Sequence, residues 1–498
     1  MVEDFPFQNF KFKQLITDPE IYLQLARHAD EYSSQYNQDP LALAHSLYKE
    51  ALSLETNWRN YIQRLVKMVI IDKKATLLSD SNKPIYTIEN IEDRRVRGRG
   101  RFIFKVFDDP ISAEIEFAIG RYLQSTITQL NETNFSVPGS SGIFPLEDGK
   151  SVHVQVCSTG INFAEKVRRS KKYLEQKIEE MDEESKKRTQ DNIQNLNSIV
   201  RYTAFIHVMG NKLVKEIQGI QETPYRDRTI QKEIIKEFPN IIQISKRQNL
   251  EEKVKKRLNT LLLDTEKDSS IAVKKISDHL EPILYLLENS CNWVINADAH
   301  PENWFVNDFG GNPETVQRID CEVRNMIPQQ VDLVNLLNFL GKSILSSLPV
   351  KIAILYKYAY FYNNYSLMEN EDQKMVHKIA KIVRLSPTQT NVDNIMDKMS
   401  EIEDGFRQYE IFGNKGLITD LNKFFIELEI ATIYRAITLS GAWTERKKPK
   451  YKEKRQEILK TAEEAGRFLT DWIKDLPLEK DYFNPLTEGL KELREGLE

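Results

Sequence analysis

Two acids and an amide stand at the ends of short apolar runs in the second half of the chain. Asp298 and Asn303 occupy a polar loop between two predicted strands, and Asp320 ends a third strand that follows a Gly-Gly-Asn turn. Phosphoryl transfer needs such oxygen-bearing side chains, because the protein's part in it is to position the reactants and neutralise charge. Asn303 and Asp320 are therefore candidate ligands for magnesium, which prefers hard oxygen donors. Asp298 is the candidate to orient an acceptor hydroxyl and accept its proton.

The segment 298–303, Asp-Ala-His-Pro-Glu-Asn, resembles the catalytic loop of the protein-kinase-like superfamily, and within it that of aminoglycoside and choline phosphotransferases. Ile319-Asp320 is similar to the superfamily's metal-binding element. The chain departs from the family pattern at Asn296, where those phosphotransferases carry a histidine. Asp and Asn are also common in turns, so each residue alone has an ordinary structural explanation.

The resemblance implies supporting roles for three further residues. Glu322 stands two places after Asp320, where the family often has an acid, and Asp332 stands where the family has an Asp that anchors the catalytic loop. His300 lies within the loop, and we favour a structural role for it over a catalytic one.

The resemblance also implies ATP and Mg²⁺ as cofactors and places a nucleotide site in the first half of the chain. Lys105, in the apolar run RFIFKVF, would bind nucleotide phosphates, and Glu116 on the following helix would hold it, with Glu114 as the alternative. The expected hinge, whose backbone would bind the adenine, consists of Val156, Cys157 and Ser158. The phosphate-binding loop stays open, since neither Gly98 with Gly100 nor segment 79–84 matches a Gly-rich pattern well.

The distribution of elements predicts an α+β fold. Short β-rich runs surround one helical segment before residue 160, and the rest of the chain is mostly helical. With the resemblance, this implies a bilobal protein-kinase-like fold, with a small mixed N-lobe sheet and one helix at 66–160 and a mainly helical C-lobe at 161–498. Residues 1–65 are predicted to be an N-terminal helical extension, and about 164–247 a charged helical insert in the C-lobe. Either segment is a possible docking surface for a protein partner, although a packed cap and a solvated helix are the simpler interpretations.

The acceptor is expected to be a small molecule with a hydroxyl group. Only eleven residues separate Asp320 from Asp332, too few for the long activation segment of protein kinases. Acids and aromatics such as Glu403, Asp404 and Trp443 would suit a cationic acceptor. The basic stretch 446–455 fits a solvated loop, with an acidic partner or an anionic substrate as the alternative.

Composition excludes several other classes of protein. The net charge is -4, which argues against a nucleic-acid binder. The three cysteines form no CxxC pair, so a zinc site or a disulfide framework is not expected. No secretory signal or membrane-spanning run is evident, and the chain is predicted to be soluble and cytoplasmic.

Together these features predict an ATP- and magnesium-dependent phosphotransferase that moves the γ-phosphoryl group to a hydroxyl of a small molecule. The alternative is a catalytically weak or inactive kinase-fold scaffold that binds nucleotide. Asp298, Asn303, Asp320 and Lys105 favour the enzyme, whereas Asn296 and the missing Gly-rich loop favour the scaffold.

Overall fold

The computed structural model describes most of the chain between residues 62 and 496. It covers 62–63, 65–71, 76–79, 84–88, 102–156, 160–176, 180–217, 239–264, 269–290, 292–296, 298–308, 311–321, 325–338, 340, 345, 348–367, 417–418, 420–445, 450–472 and 483–496. Outside these residues lie nearly all of the predicted N-terminal extension and the predicted site residues Cys157, Ser158 and Glu322. Glu403 and Asp404 also lie outside them.

The fold mixes α and β structure, is mostly helical and contains small sheets. Its two compact units comprise residues 1–117 with 138–157, and 118–137 with 158–498. The strands are β1 (Thr76–Ser79), β2 (Ile85–Ile88), β3 (Phe102–Phe107), β4 (Phe135–Ser136), β5 (Ser140–Pro145), β6 (Ser151–Val156), β7 (Ile161–Asn162), β8 (Trp293–Ile295), β9 (Trp304–Val306), β10 (Val316–Arg318) and β11 (Met326–Pro328). The helices are α1 (Pro110–Gln129), α2 (Phe163–Arg169), α3 (Lys171–Leu174), α4 (Glu183–Ile217), α5 (Leu250–Asp264), α6 (Ser269–Ser290), α7 (Gln329–Leu337), α8 (Leu348–Leu367), α9 (Leu421–Glu445), α10 (Lys450–Trp472) and α11 (Phe483–Glu495).

The first unit is built on a five-stranded antiparallel sheet in the order β1-β2-β3-β6-β5. Valine and phenylalanine fit the pleated surface of a sheet, and they supply most of its buried side chains. The core cluster consists of Ile62, Leu65, Val66, Val69, Phe102, Phe104, Val106, Phe144, Val152 and Val154. Ile62 and Leu65, which the sequence assigned to the extension, thus belong to the core of the sheet.

The second unit places two small sheets among its helices. One sheet has the order β4-β10-β9-β7, and β11 pairs with β8. Together these strands frame the loop that holds Asp298, since β8 leads into it and β9 leaves it. None of the described helices combines the length and the apolar character needed to cross a membrane.

Helix α4 differs from the charged insert that its sequence suggested. Its first turns carry exposed charged residues, but from Leu196 to Val214 most of its side chains are buried. A Cβ atom on Gly210 would come within 2.2 Å of the Ile295 side chain, so the helix backbone packs directly on β8. Residues 196–214 of the predicted insert are therefore mostly buried, and this part of α4 supports the strand before Asp298.

Candidate active site

Several hydrogen bonds within the loop between β8 and β9 converge on the backbone of Asp298. The Asp298 carbonyl oxygen accepts hydrogen bonds from His300 N at 2.6 Å, Asn303 Nδ2 at 2.9 Å and Arg318 Nη1 at 3.0 Å. Asn296, at the place where the family pattern has a histidine, accepts a bond from Asp298 N through its side-chain oxygen at 2.9 Å. The amide of Asn296 thus closes the start of the loop.

Asp298 and Asp320 both adopt left-handed backbone conformations. Their φ angles are 44° and 60°, and among the described non-glycine residues only Asn131 shares a positive φ. Such conformations cost of order 1–3 kcal/mol, and they cluster at active sites because the surrounding structure must hold them. The two predicted reactive acids are therefore also points of local backbone strain.

Arg318 connects these two strained residues. Its guanidinium donates to the carbonyl of Asp298 at 3.0 Å and to the carbonyl of Asp320 at 2.9 Å. The side chain is 2 % exposed and stacks over the Trp304 ring, 5.0 Å from the centroid. The rigid fork of the guanidinium can make both bonds at once, which a lysine ammonium cannot do with the same geometry.

Asn303 contacts the side chain of Asp298. Its Nδ2 donates to Asp298 Oδ2 at 3.1 Å, in addition to the carbonyl bond. Its backbone carbonyl accepts a bond from Ile319 N at 3.0 Å, which brings Asn303 beside the residue preceding Asp320. Because Nδ2 makes two bonds inside the loop, the amide is fixed with its oxygen turned away from Asp298.

The donor set fits a magnesium ion that also binds phosphate. The described residues contain no group of three or more His, Cys, Asp and Glu side chains suited to a metal ion. Magnesium is usually held by one or two carboxylates together with substrate phosphates and water. The Asp320 carboxylate and the Asn303 amide oxygen are such a set, so they fit an ion that arrives with a nucleotide.

The Asp332 carboxylate, on α7, holds the loop through a hydrogen bond to its backbone. Its Oδ1 accepts a bond from Ala299 N at 2.7 Å, and its Oδ2 contacts His207 Nε2 at 2.9 Å. The Nδ1 atom of His207 lies 2.6 Å from the hydroxyl of Tyr358. Burial alone would raise the pKa of Asp332, but its bonds to His207 and Ala299 and the charge of Arg318 together lower it. A charged carboxylate therefore holds the residue next to Asp298.

The His300 side chain stabilises a turn within the loop. Its Nδ1 accepts a bond from Glu302 N at 3.2 Å, which caps the single 3₁₀ turn Pro301–Asn303. Burial lowers the pKa of His300, while the Glu302 and Asp298 carboxylates oppose that shift. The neutral ring then serves as a hydrogen-bond acceptor for the turn.

In the first unit, Lys105 forms an ion pair with Glu116. Lys105 Nζ lies 2.7 Å from Glu116 Oε1, and the two side chains are 7 % and 0 % exposed. Burial opposes ionisation of Glu116, but Lys105 and His153 outweigh it and hold the pKa of the carboxyl below its usual range. The strand register explains the cluster, because Lys105 on β3 lies opposite His153 on β6. Glu116, the partner that the sequence favoured, contacts the lysine. Val156 ends β6, and its backbone pairs with Phe102.

Two residues that the sequence did not single out hold the candidate site together. Arg318 ends a strand two residues before Asp320, and His207 stands in the apolar run FIHVMG of α4. A buried polar side chain among apolar neighbours needs a partner, and that rule could have drawn attention to His207. No comparable local signal marks Arg318, because its two acceptors are backbone atoms.

No family model matches the chain, and no curated protein sequence matches it. Similar solved structures include the amicoumacin kinase hAmiN in complex with AMP-PNP, Ca²⁺ and Ami, with 13 % identity, coverage of 87 % of this chain and 93 % of that chain, and a TM-score of 0.40. The choline kinase from Cryptosporidium parvum Iowa II matches with 11 % identity, coverage of 84 % and 93 %, and a TM-score of 0.41. Aminoglycoside 2'-phosphotransferase-IIIa matches with 11 % identity, coverage of 70 % and 98 %, and a TM-score of 0.28. The structural neighbours of the chain are thus small-molecule kinases, among them choline kinases and aminoglycoside phosphotransferases.

Proposed function

We propose that the chain transfers the γ-phosphoryl group of ATP, with magnesium, to a hydroxyl group of a small molecule. One observation carries the proposal: Arg318 holds Asp298 and Asp320 together, each in a strained left-handed conformation. Each strained conformation costs folding free energy, so stability alone does not account for two of them held together. Their chemistry, a carboxylate next to an amide and a second carboxylate, is what phosphoryl transfer uses.

In this proposal Asp298 acts on the acceptor. The acceptor oxygen attacks the γ-phosphorus, the bond between that phosphorus and the ADP oxygen breaks, and the hydroxyl proton passes to the Asp298 carboxylate. Asn303, bonded to Asp298 Oδ2, keeps the carboxylate turned toward a reactant. A positioned base of this kind contributes typically about 10²–10⁴-fold in rate.

Asp320 and Asn303 would hold magnesium, which supplies charge neutralisation for the phosphates when it is bound. Lys105 would contact the nucleotide phosphates, and Glu116 keeps its ammonium in place. The fully buried Glu116 carboxylate gives the largely buried lysine a charged partner and fixes the direction of its side chain.

The short connection after Asp320 supports a small acceptor. Only eight residues separate Asp320 from the start of α7 at Gln329, and strand β11 takes up the last three. This leaves no room for the long segment on which protein kinases bind peptide substrates.

The first test is thermal unfolding with and without ATP and magnesium. Ligands that bind only the folded state raise its melting temperature by linkage. We expect a magnesium-dependent rise in the wild type and its loss in Asp320→Asn, a substitution that tolerates a left-handed backbone but removes the charge. Asp278→Asn, on the exposed face of α6, is the matched control.

A second variant separates the enzyme from the scaffold. Asp298→Asn should keep the magnesium-dependent rise with ATP and lose phosphoryl transfer, measured as ADP release. Nucleotide binding without turnover in the wild type, across a panel of hydroxyl compounds, would identify a scaffold. Full turnover in Asp298→Asn would refute the role of that residue.

A further inference from the structure

Helices α5 and α9 of the second unit pack side by side in the same direction. Thr260 Oγ1 donates to Glu445 Oε1 at 3.3 Å, and a Cβ on Gly441 would lie 2.7 Å from the Cβ of Arg257. The two helices therefore run in parallel, and residues one turn closer to the N-terminus of α5 lie beside residues one turn closer to the N-terminus of α9. One turn before Arg257, Lys253 comes beside the turn of α9 that follows Arg435.

Arg435 in turn reaches the helix that anchors the candidate catalytic loop. Its Nε donates to the Asn335 side-chain oxygen on α7. Asn335 follows Asp332 by three residues, so the two share a face of that helix. Asp332 accepts the bond from Ala299 N, next to Asp298. The chain of contacts places Arg435, and with it Lys253, close to the proposed base.

These cations have no carboxylate partner within the part of the chain that the structure describes. Arg257 is paired with Glu445. No described Asp or Glu lies within ion-pair distance of Lys253, Arg435 or Lys454, although all three belong to well-defined helices. Lys253 and Arg435 are only half-exposed, so water screens their mutual repulsion incompletely.

The titration behaviour of Lys253 agrees with this geometry. Burial first, and then the charges of Arg435 and Arg257, lower the pKa of Lys253 to about 8, and the Asp298 carboxylate opposes that shift. Positive charge is therefore concentrated beside the proposed base, and the carboxylate of that base is the negative charge that acts on Lys253.

We infer that the acceptor carries an anionic group, a carboxylate or a phosphate, which Lys253 and Arg435 bind beside Asp298. An anion there would neutralise two cations that now repel each other, and the planar guanidinium of Arg435 suits both groups. This assignment rests on the proposed function, since it names the class of hydroxyl compound that the site accepts.

The described residues give less support to a cationic acceptor. Trp443, an aromatic candidate for such a molecule, is buried and stacks on Tyr451, with centroids 5.9 Å apart and ring planes 10° from parallel. One face of its ring is thus covered by Tyr451. Lys454, from the basic stretch that the sequence left open to an anionic substrate, is exposed on α10.

The test uses inorganic phosphate and malonate as probes on the full chain saturated with magnesium and a non-hydrolysable ATP analogue. Saturation removes phosphate binding at the nucleotide site from the readout. We expect both wild type and Lys255→Met to be stabilised by millimolar phosphate or malonate, and Lys253→Met and Arg435→Lys to lose most of that shift. Lys255 is the matched control, because it lies on the exposed side of α5, paired with Glu251. The comparison of phosphate with malonate distinguishes the two kinds of anion.

Turnover gives the second readout, with acceptors that differ by one charged group. The pairs are glycerate with glycerol, serine with ethanolamine, and glycerol 3-phosphate with glycerol, each followed by ADP release. We expect at least a tenfold higher kcat/KM for the anionic member, reduced in Lys253→Met through KM rather than kcat. Lack of stabilisation by either anion, or a preference for neutral or cationic acceptors, would overturn the assignment.

The two proposals fail in different ways. If ATP with magnesium stabilises the wild type and the chain prefers choline, kanamycin or glycerol, only the anionic acceptor is wrong. If ATP with magnesium has no effect on the wild type, the proposed function falls, and the anionic acceptor falls with it.

Discussion

The Arg318 guanidinium donates to the main-chain carbonyl of Asp298 at 3.0 Å, across twenty positions of sequence. Its second nitrogen bonds to the carbonyl of Asp320 at 2.9 Å. One buried side chain therefore sets the spacing of two backbone segments that carry the proposed base and a proposed metal ligand. This backbone contact thereby also fixes where their side chains begin.

Arg318→Met should destabilise the fold and disable the site together. The substitution removes one of three donors to the Asp298 carbonyl and the Arg318 bond to the Asp320 carbonyl. Because an unsatisfied buried carbonyl costs roughly 1–3 kcal/mol, we expect a loss of about that size. Arg318→Lys should lose less, because one ammonium can retain one of the two bonds. Urea unfolding measures the free energy, and ADP release at saturating ATP measures the rate. A Met variant with wild-type values in both would show that the guanidinium does not organise the site.

Lys105→Met should weaken nucleotide binding and also destabilise the first unit. It leaves the Glu116 carboxylate, which is fully buried, without its main counter-charge. Removing one partner of a buried ion pair typically costs about 3–5 kcal/mol. The double variant Lys105→Met/Glu116→Gln should regain much of the stability, since the remaining amide is neutral, but not the nucleotide affinity. Equal affinity for ATP in wild type and double variant would remove Lys105 from the nucleotide site.

The Asp332 carboxylate should make the fold sensitive to acid. Its pKa is lower in the folded than in the unfolded chain, where Asp titrates near about 3.9. Its contribution to stability is thus fully present above that value and is lost as the pH falls through the folded pKa. We expect the wild type to lose more stability than Asp332→Asn between pH 5 and the acid limit of folding, by urea titration at each pH. Parallel curves for the two proteins would contradict the assignment.

The affinity for an anionic acceptor should fall as the pH rises through about 8. Lys253 has a pKa of about 8, with Arg435, Arg257 and Asp298 as the charged groups around it. Below that pH the ammonium can bind an anion, and above it the neutral amine cannot. KM for the anionic acceptor should therefore rise in alkaline buffer, and Lys253→Arg should flatten the profile because a guanidinium stays charged. An identical pH profile in the arginine variant would locate the titration elsewhere.

Local sequence patterns predicted the strands and the helix that carry the candidate site residues. They did not predict the support that His207 and Arg318 give to the site through distant contacts. The strand around Lys105, the helix around Glu116 and the strand ends at Asp298 and Asp320 are encoded within a few residues. His207 and Asp332 are 125 positions apart, and no local pattern relates them. The roles assigned to the site residues remain predictions for the experiments above.

Helix α4 shows why composition alone does not predict burial. The exposed charged residues of its first turns and the mostly buried residues from Leu196 onward belong to one continuous helix. Gly210, which lets the helix backbone approach Ile295, marks the buried half but resembles any other glycine in sequence.

At Asp298 and Asp320, the residue types that best fit the left-handed backbone differ from the residue type that the proposed chemistry requires. Glycine and asparagine suit such positions better than aspartate does. A library of variants sorted only for resistance to heat should therefore enrich glycine at both places, and under the proposed function the enriched clones should have lost phosphoryl transfer. Screening for stability should then leave those two codons unchanged, because the positions where stability is easiest to gain are the proposed base and a proposed metal ligand.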